Sequence, residues 1–289
     1  MTDESGFYVD LVSNSSSTYF PDNTLSLFAT KLHKPIEFRG QWLVGLNEIF
    51  YPIRLNNIKT DTRVSICHLS LDKPQTTAFL ASTDGEGGLL EAGCYNTLSV
   101  LIEVLNRALY DHWSKRQLFK ELGDEFCPKF EIAENGHVRI KLGARANSRD
   151  VFYPIFSHNE KQLPLEMILG FKKNIFSFFA SRLRPAQISK GFLAKNEPDL
   201  KAGRNFAYIY CDVIRDHRVG DTSAPLLRTV PLSEGKFKGI GYSSFQPVVY
   251  YEVKTNRIES IYIKLCDETG EHLSFTGGRV HMTLHFKPK

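Results

Sequence analysis

Arg279-Val280-His281-Met282-Thr283-Leu284-His285-Phe286 decides the fold class. With a period of two, Val280, Met282, Leu284 and Phe286 fall on one side of a strand, and His281, Thr283 and His285 on the other. Only Lys287-Pro288-Lys289 follows, so the C-terminus is expected to be built into a sheet. Working backward, Asp267-Glu268-Thr269-Gly270 is tight-turn chemistry. Ile258 to Leu265 alternates in its second half, Thr255-Asn256-Arg257 interrupts, and Pro247-Val248-Val249-Tyr250-Tyr251-Glu252-Val253 is β-branched and aromatic. Three strands separated by turns point to a β-sandwich in which sequence-distant strands pair. They point away from a catalytic domain with a loose tail.

The first fifty residues supply matching material. Phe7-Tyr8-Val9-Asp10-Leu11-Val12 alternates and runs into the cluster Ser13 to Ser17. Pro21-Asp22-Asn23 reads as a turn, and Leu25, Phe28 and Leu32 follow in an extended segment. Pro35-Ile36-Glu37-Phe38 leads through Gly40 into Trp42-Leu43-Val44-Gly45-Leu46-Asn47-Glu48-Ile49-Phe50-Tyr51-Pro52. This run reads as a central strand with Trp42, Val44, Leu46 and Ile49 in the core. Its alternation breaks at Asn47-Glu48, which predicts a bulge. Trp42, Leu46, Ile261, Ile263, Met282 and Leu284 are the expected core.

Between these ends the pattern changes. Asp84-Gly85-Glu86-Gly87-Gly88 is a break, after which Leu98, Leu101, Ile102, Leu105, Ala108 and Leu109 recur at helical spacing. A helix over 97–113 is expected, with Asn96 as its N-cap. Asn135-Gly136 between two alternating runs predicts a hairpin over 130–142, and Leu163 to Phe171 a short helix stopped by Gly170. Ala207 to Ile214 returns to strand, Val219 to Pro225 reads as loop, and Leu226 to Leu232 as another strand. The expected division is 1–84 and 204–289 as the two parts of the sandwich, with 85–203 as an inserted α/β domain. No internal repeat is visible.

Composition narrows the class. The 289 residues are 42% hydrophobic and 12% aromatic, with 21 Phe and 12 Tyr against 2 Trp, which suits a β-rich core. A net charge of +4, scattered along the chain, does not suggest general nucleic-acid binding. The five cysteines, Cys67, Cys94, Cys127, Cys211 and Cys266, are odd in number and lack CxxC spacing, as reduced and mostly buried thiols would be. Asn14-Ser15-Ser16 matches a glycosylation sequon but follows a polar start without a secretion signal, so it reads as part of a serine-rich turn. The most apolar stretch, Ile168 to Ala180, is interrupted by Lys172 and Lys173, and no run approaches the ~20 residues of a membrane span.

Several constellations in the sequence are candidates for chemistry. His281 and His285 share a strand face and form the best metal candidate, with His272 close in sequence, but a zinc site needs further ligands. The favoured reading is a polar face turned to solvent or a partner. Asp212, Asp216, His217 and Asp221 cluster around Arg215 and Arg218, which favours a salt-bridged loop over an acid–base or metal set. Gly85-Glu86-Gly87-Gly88 lacks the Lys-Ser/Thr of a phosphate loop. Lys172, Lys173, Arg182, Arg184, Lys190 and Lys195 interleave with Phe176, Phe178, Phe179 and Phe192. Without a nucleic-acid fold signature, that segment reads as apolar packing with a basic rim. A jelly-roll oxygenase needs His-x-Asp/Glu plus a distal His, and the match here, His158-Asn159-Glu160, lies in an expected loop. No nucleophile motif occurs. No catalytic, cofactor-binding or metal residue is therefore assigned, and no cofactor is expected.

Three blocks carry a family resemblance. The first is Phe20-Pro21-Asp22-Asn23-Thr24-Leu25-Ser26-x-Phe28, then Leu32-x-x-Pro35-Ile36, then Gly40-x-Trp42-x-Val44-Gly45-Leu46-x-Glu48-Ile49-x-Tyr51-Pro52. The second joins Tyr210-Cys211-Asp212 to Val219-Gly220-Asp221-Thr222-x-Ala224-Pro225-Leu226-Leu227-Arg228-x-Val230-Pro231. The third runs from Ile261 to Gly270, with Gly278-Arg279-Val280 and Leu284-His285-Phe286. Together they resemble the minor capsid, or penton, proteins of Polinton/Maverick elements and related adintoviruses. The blocks lie at the two ends, and the middle matches mainly in pattern.

The resemblance implies a mainly β chain, a single jelly-roll β-sandwich with an inserted α/β region. It also implies a structural, non-enzymatic virion protein assembled in the host nucleus or cytoplasm. Homopentamers at the fivefold vertices of an icosahedral shell would neighbour a trimeric double-jelly-roll major capsid protein. The alternative is a jelly-roll binding module carried on the virion, for attachment to a host receptor or glycan. Neither reading calls for a specific nucleic acid or a membrane span.

Overall fold

The computed structural model describes residues 6–70, 77–78, 88–115, 122–144, 150–156, 165–172, 190–233 and 239–289. The chain divides into two compact units. Met1–Leu55 with Arg204–Lys289 forms one, and Asn56–Gly203 the other.

The first unit is a jelly roll. Numbered along the chain, its strands are β1 (Phe7–Val12), β2 (Leu27–Glu37), β3 (Trp42–Pro52), β11 (Phe206–Cys211), β12 (His217–Val219), β13 (Thr222–Ala224), β14 (Leu226–Pro231), β15 (Ile240–Ser244), β16 (Tyr251–Glu252), β17 (Arg257–Cys266) and β18 (His281–Pro288). One sheet has the order β1-β18-β3-β15, with β16 also on β3, and the other β14-β11-β17-β2. The antiparallel pairs β1–β18, β2–β17, β3–β15 and β11–β14 are nested from the outermost strands inward and alternate between the sheets. A long hairpin rolled onto itself has this pairing. The first and last thirds of the chain are thus joined directly, Asp10 opposite Thr283 and Phe28 opposite Ile263.

The predicted bulge is present and sets which residues face inward. Thr283 stands opposite Glu48 but Leu284 opposite Leu46, so Asn47 is the extra residue. Inward parity switches there, and Val44 and Leu46 before the bulge and Ile49 and Tyr51 after it are all buried. Leu46, Ile261, Ile263, Met282 and Leu284 are buried as expected. Trp42 is not. It sits at the strand end opposite Pro288, half-buried against Phe7 and Phe38, with ring centroids at 5.6 and 5.2 Å. Its Nε1 donates to the Arg39 carbonyl at 3.1 Å, so it closes the rim of the core.

Three local expectations are revised. Of the strand expected over 247–253, only Tyr251–Glu252 pairs with β3 as a strand, and Val253 adds a single bridge to Ile214. The preceding residues cross over Gly45, where any Cβ would collide with the Val249 carbonyl oxygen. The loop expected over 219–225 contains a two-residue hairpin, Val219 opposite Thr222, with Gly220 in the left-handed region at φ +59°. The strand starting near Ala207 ends at Cys211. The turn at 267–270 forms as its residues suggest. Buried Asp267 accepts through Oδ1 from the Thr269 hydroxyl (2.6 Å) and from the amides of Thr269 and Glu271 (3.0 and 3.1 Å).

The second unit has its own core. Its elements are β4 (Thr62–Ser70), β5 (Thr77–Ala78), β6 (Gly88–Leu90), α1 (Leu98–Ser114), β7 (Lys129–Ile132), β8 (Val138–Lys141), β9 (Asp150–Phe156), α2 (Leu165–Ile168) and β10 (Phe192–Leu193). β4 pairs with β5, β6 and β9, so the boundary expected at 84/85 moves to Leu55/Asn56. Helix α1 buries Leu101, Ile102, Leu105, Ala108 and Leu109, the stripe its spacing predicts. Its N-cap is Thr97 rather than Asn96, and Thr97 Oγ1 accepts from Val100 N at 3.3 Å. β7 and β8 form the expected hairpin around Gly136 at φ +80°. α2 ends at Gly170 (φ +86°), with Phe171 N donating to the Glu166 carbonyl at 2.7 Å and Gly170 N to that of Met167 at 3.0 Å. This is a Schellman stop.

Met282→Ala and Leu284→Ala remove fully buried side chains between the sheets and should each cost about 2–5 kcal/mol. Trp42→Ala should cost less than either, because its ring is only partly buried at the rim of the core. Urea unfolding followed by tryptophan-independent circular dichroism ranks the three.

Candidate functional site

Where alternation turns side chains outward on the β1-β18-β3-β15 sheet, it builds a surface of rings, imidazoles and carboxylates. His285 is its centre. Its Nδ1 lies 2.7 Å from the Tyr250 hydroxyl, and its ring stacks on Tyr8 at 4.5 Å. Gly6 runs against the other side, where a Cβ would stand 2.6 Å from Nε2. The Lys287 ammonium sits 3.9 Å over the Tyr250 ring. Farther along β18, the His281 ring stacks on Phe50 at 6.0 Å, and its Nε2 is 3.7 Å from Asp10 Oδ1. Between the histidines, Thr283 donates its hydroxyl to Asp10 Oδ1 at 2.7 Å. Tyr242 donates to Glu48 Oε2 at 3.1 Å and packs on Phe50 at 4.6 Å.

The two histidines do share a face, but four residues of strand separate them by about 13 Å. They cannot meet at one metal ion, whose bonds to nitrogen are about 2 Å. His272 is exposed on a turn whose backbone bridges to Cys266. Among the described residues, no three His, Cys, Asp or Glu side chains converge as a metal site. The partners that fix His285, Tyr8 and Tyr250, were missed in the sequence. Tyr8 was legible as an outward residue of β1, whereas Tyr250 comes from the irregular segment that crosses Gly45.

The Asp212–Asp221 cluster is dispersed rather than salt-bridged within itself. Asp212 Oδ1 accepts from Tyr262 N at 2.9 Å, which ties the end of β11 to β17. Burial raises its carboxyl above the usual range, partly offset by that bond. Arg215 turns to Glu252 at 3.6 Å instead of to a neighbouring aspartate. His217 stacks on Tyr251 at 4.3 Å, and Asp216, Arg218 and Asp221 are exposed. The cysteines are free thiols, all buried except the half-buried Cys94. Burial pushes Cys127 and Cys211 each up to about 12, the opposite of a reactive thiolate. Of the basic segment, Lys172, Lys190, Phe192 and Lys195 are described. Lys173, Phe176, Phe178, Phe179, Arg182 and Arg184 lie outside the described residues, as do Gly85-Glu86-Gly87 and His158-Asn159-Glu160. No helix among the described residues is long and apolar enough to cross a membrane.

Two solved structures are similar over nearly the whole chain. The mavirus penton protein covers 98% of this chain and 99% of its own, at 11% identity and a TM-score of 0.48. A chain of the Sputnik virophage structure covers 98% of each, also at 11% identity and 0.48. No protein-family model matches the chain, and no curated protein matches it.

Burial holds the His285 imidazole below its ordinary value of 6.5, and the Lys287 ammonium pushes the same way. The unfolded chain therefore takes up this proton at a higher pH than the folded one. The stability His285 contributes is complete above about 6.5 and is lost as pH falls from there through the folded value. Between about pH 7 and about pH 5, the parent should lose more stability than His285→Gln, which keeps a partner for the Tyr250 hydroxyl. Denaturant midpoints of the two chains across that window measure the difference.

Proposed function

We propose that the chain is a structural virion protein, a minor capsid (penton) protein of the Polinton/Maverick and adintovirus kind. It forms homopentamers at the fivefold vertices of an icosahedral shell, beside a double-jelly-roll major capsid protein, and has no catalytic role. The observation that carries the reading is the use to which the three resembling blocks are put. Tyr51 of the first block donates its hydroxyl to the Pro231 carbonyl of the second at 2.6 Å. Asp212 of the second accepts from Tyr262 of the third at 2.9 Å. Leu284 of the third pairs with Leu46 of the first. The motif residues thus hold one sandwich together instead of converging on a cleft.

The sandwich also suits an assembly of fixed size. A ring closes when one patch meets a different patch at a fixed rotation. An open sheet edge would compete by adding strands without limit. On the outward side of β2, that edge is blocked by side chains. Asn23 bonds both the amide and the carbonyl of Ala29, at 2.8 and 2.9 Å. Thr24 Oγ1 accepts from Leu27 N at 3.0 Å, and Ser16 Oγ from Lys31 N at 3.0 Å. Subunit contacts are then left to sheet faces and loops, among them the ring-rich surface around His281 and His285.

Co-expression with the partner major capsid protein, followed by electron cryo-microscopy, should place five copies at each fivefold vertex. Particles that contain the chain but show other density at the vertices would overturn the penton role.

A further inference from the structure

Outside the surface built on β18, the outer face of β2 and β17 carries an open hollow of about 320 Å³. Its floor is Ala29, which stands opposite Tyr262 in the β2–β17 register. Phe28 and Ile263 beside them turn into the core, so Ala29 and Tyr262 face out. Ala29 is nonetheless only 2% exposed, because the loop carrying Tyr19, Phe20 and Asp22 lies over it. Asn23 pins that loop with its two bonds to the Ala29 backbone.

The chemistry of the walls is selective. Besides the buried Phe28, three rings line it, Tyr19, Phe20 and Tyr262, with Phe20 edge-on to Tyr262 at 5.5 Å between centroids. Tyr19 is 70% exposed and Tyr262 47%, both high for large apolar groups. Asp22 is the one ionisable carboxyl of the lining, and among the described residues it makes no hydrogen bond or ion pair. Ring faces carry negative quadrupole density, so rings and carboxylate together favour a cation. A planar guanidinium can stack on a ring while its fork meets a carboxylate, which an ammonium cannot do. Lys31, on the same face of β2, already has its charge matched by Glu259 at 3.2 Å.

We propose that this hollow receives an arginine side chain of a partner polypeptide, stacked among Tyr19, Phe20 and Tyr262 and paired with Asp22. The assignment stands apart from the penton reading, since it names a side chain that any protein partner can present.

The test uses the full chain and two blocked tripeptides, Gly-Arg-Gly and Gly-citrulline-Gly, the second a neutral near-isostere. Binding is followed by nuclear magnetic resonance shifts of the Tyr19 and Tyr262 ring protons. The arginine peptide should shift both rings and bind roughly tenfold tighter than the citrulline peptide, the scale of a charge-assisted contact with one ring added. Asp22→Asn should remove that preference, and Tyr19→Ala should weaken the arginine peptide. Both positions are solvent-facing, so neither change threatens folding, and Ala29→Leu, which fills the floor, should abolish binding. Equal binding of the two peptides, or a preference that survives Asp22→Asn, would mark an apolar hollow without charge selection and overturn the proposal. So would the absence of any ring shift with the arginine peptide.

Discussion

The first sheet depends on β18 lying between β1 and β3 in one register. β18 uses both of its edges, pairing with β1 from Phe7 to Val12 and with β3 from Trp42 to Phe50. A slip of one residue would turn Met282, Leu284 and Phe286 outward and bury His281, Thr283 and His285. The Asn47 bulge raises the penalty for slipping on the β3 side. Val44 and Leu46 face inward only before it, and Ile49 and Tyr51 only after it. On the β1 side the outward residues add their own registration. The Thr283 hydroxyl meets Asp10 and the His285 ring meets Tyr8, contacts that exist in a single alignment.

The sequence was legible where one residue type answers one local demand. The bulge could be read from a parity break, the α1 stripe from its spacing, and the stops at Gly136 and Gly170 from the left-handed backbone each requires. It was not legible where two segments compete for one place. Val248 and Val249 have strong strand character, yet they pass over Gly45 because the absence of a side chain there admits another backbone. Trp42 has inward parity but lies at the end of its strand, where parity no longer implies burial. Thr97 and Asn96 are both good caps, and only the geometry of the first turn chooses between them.

The candidate surface was half legible for the same reason. His281 and His285 could be placed on one face from β18 alone, but their meaning depends on the neighbours. Strand rise separates them too widely for one ion, and each is occupied by a different ring. The carboxylates and hydroxyls beside them are consumed in cross-strand bonds. The aspartate cluster after β11 shows the converse. Proximity in sequence suggested mutual salt bridges, but Arg215 and Asp212 each turn to a partner far along the chain.

Nesting has a consequence for how the roll forms. Its outermost pair joins Asp10 to Thr283, and the second unit lies in the connection from β3 to β11, between the third and fourth nested pairs. Contacts so distant in sequence form late, because the entropy of closing the chain precedes their reward. Strands β1, β2 and β3 therefore wait with apolar faces exposed while the rest of the chain becomes available, a state in which a free edge invites another chain. Part of the protection is local. The Asn23, Thr24 and Ser16 bonds to β2 span between three and fifteen residues, so they can close before β17 arrives on the other side. The second unit has a hydrophobic core of its own. An insertion at this point lengthens the wait but leaves each nested pair unchanged, since the cost of closing a loop rises only logarithmically with its length.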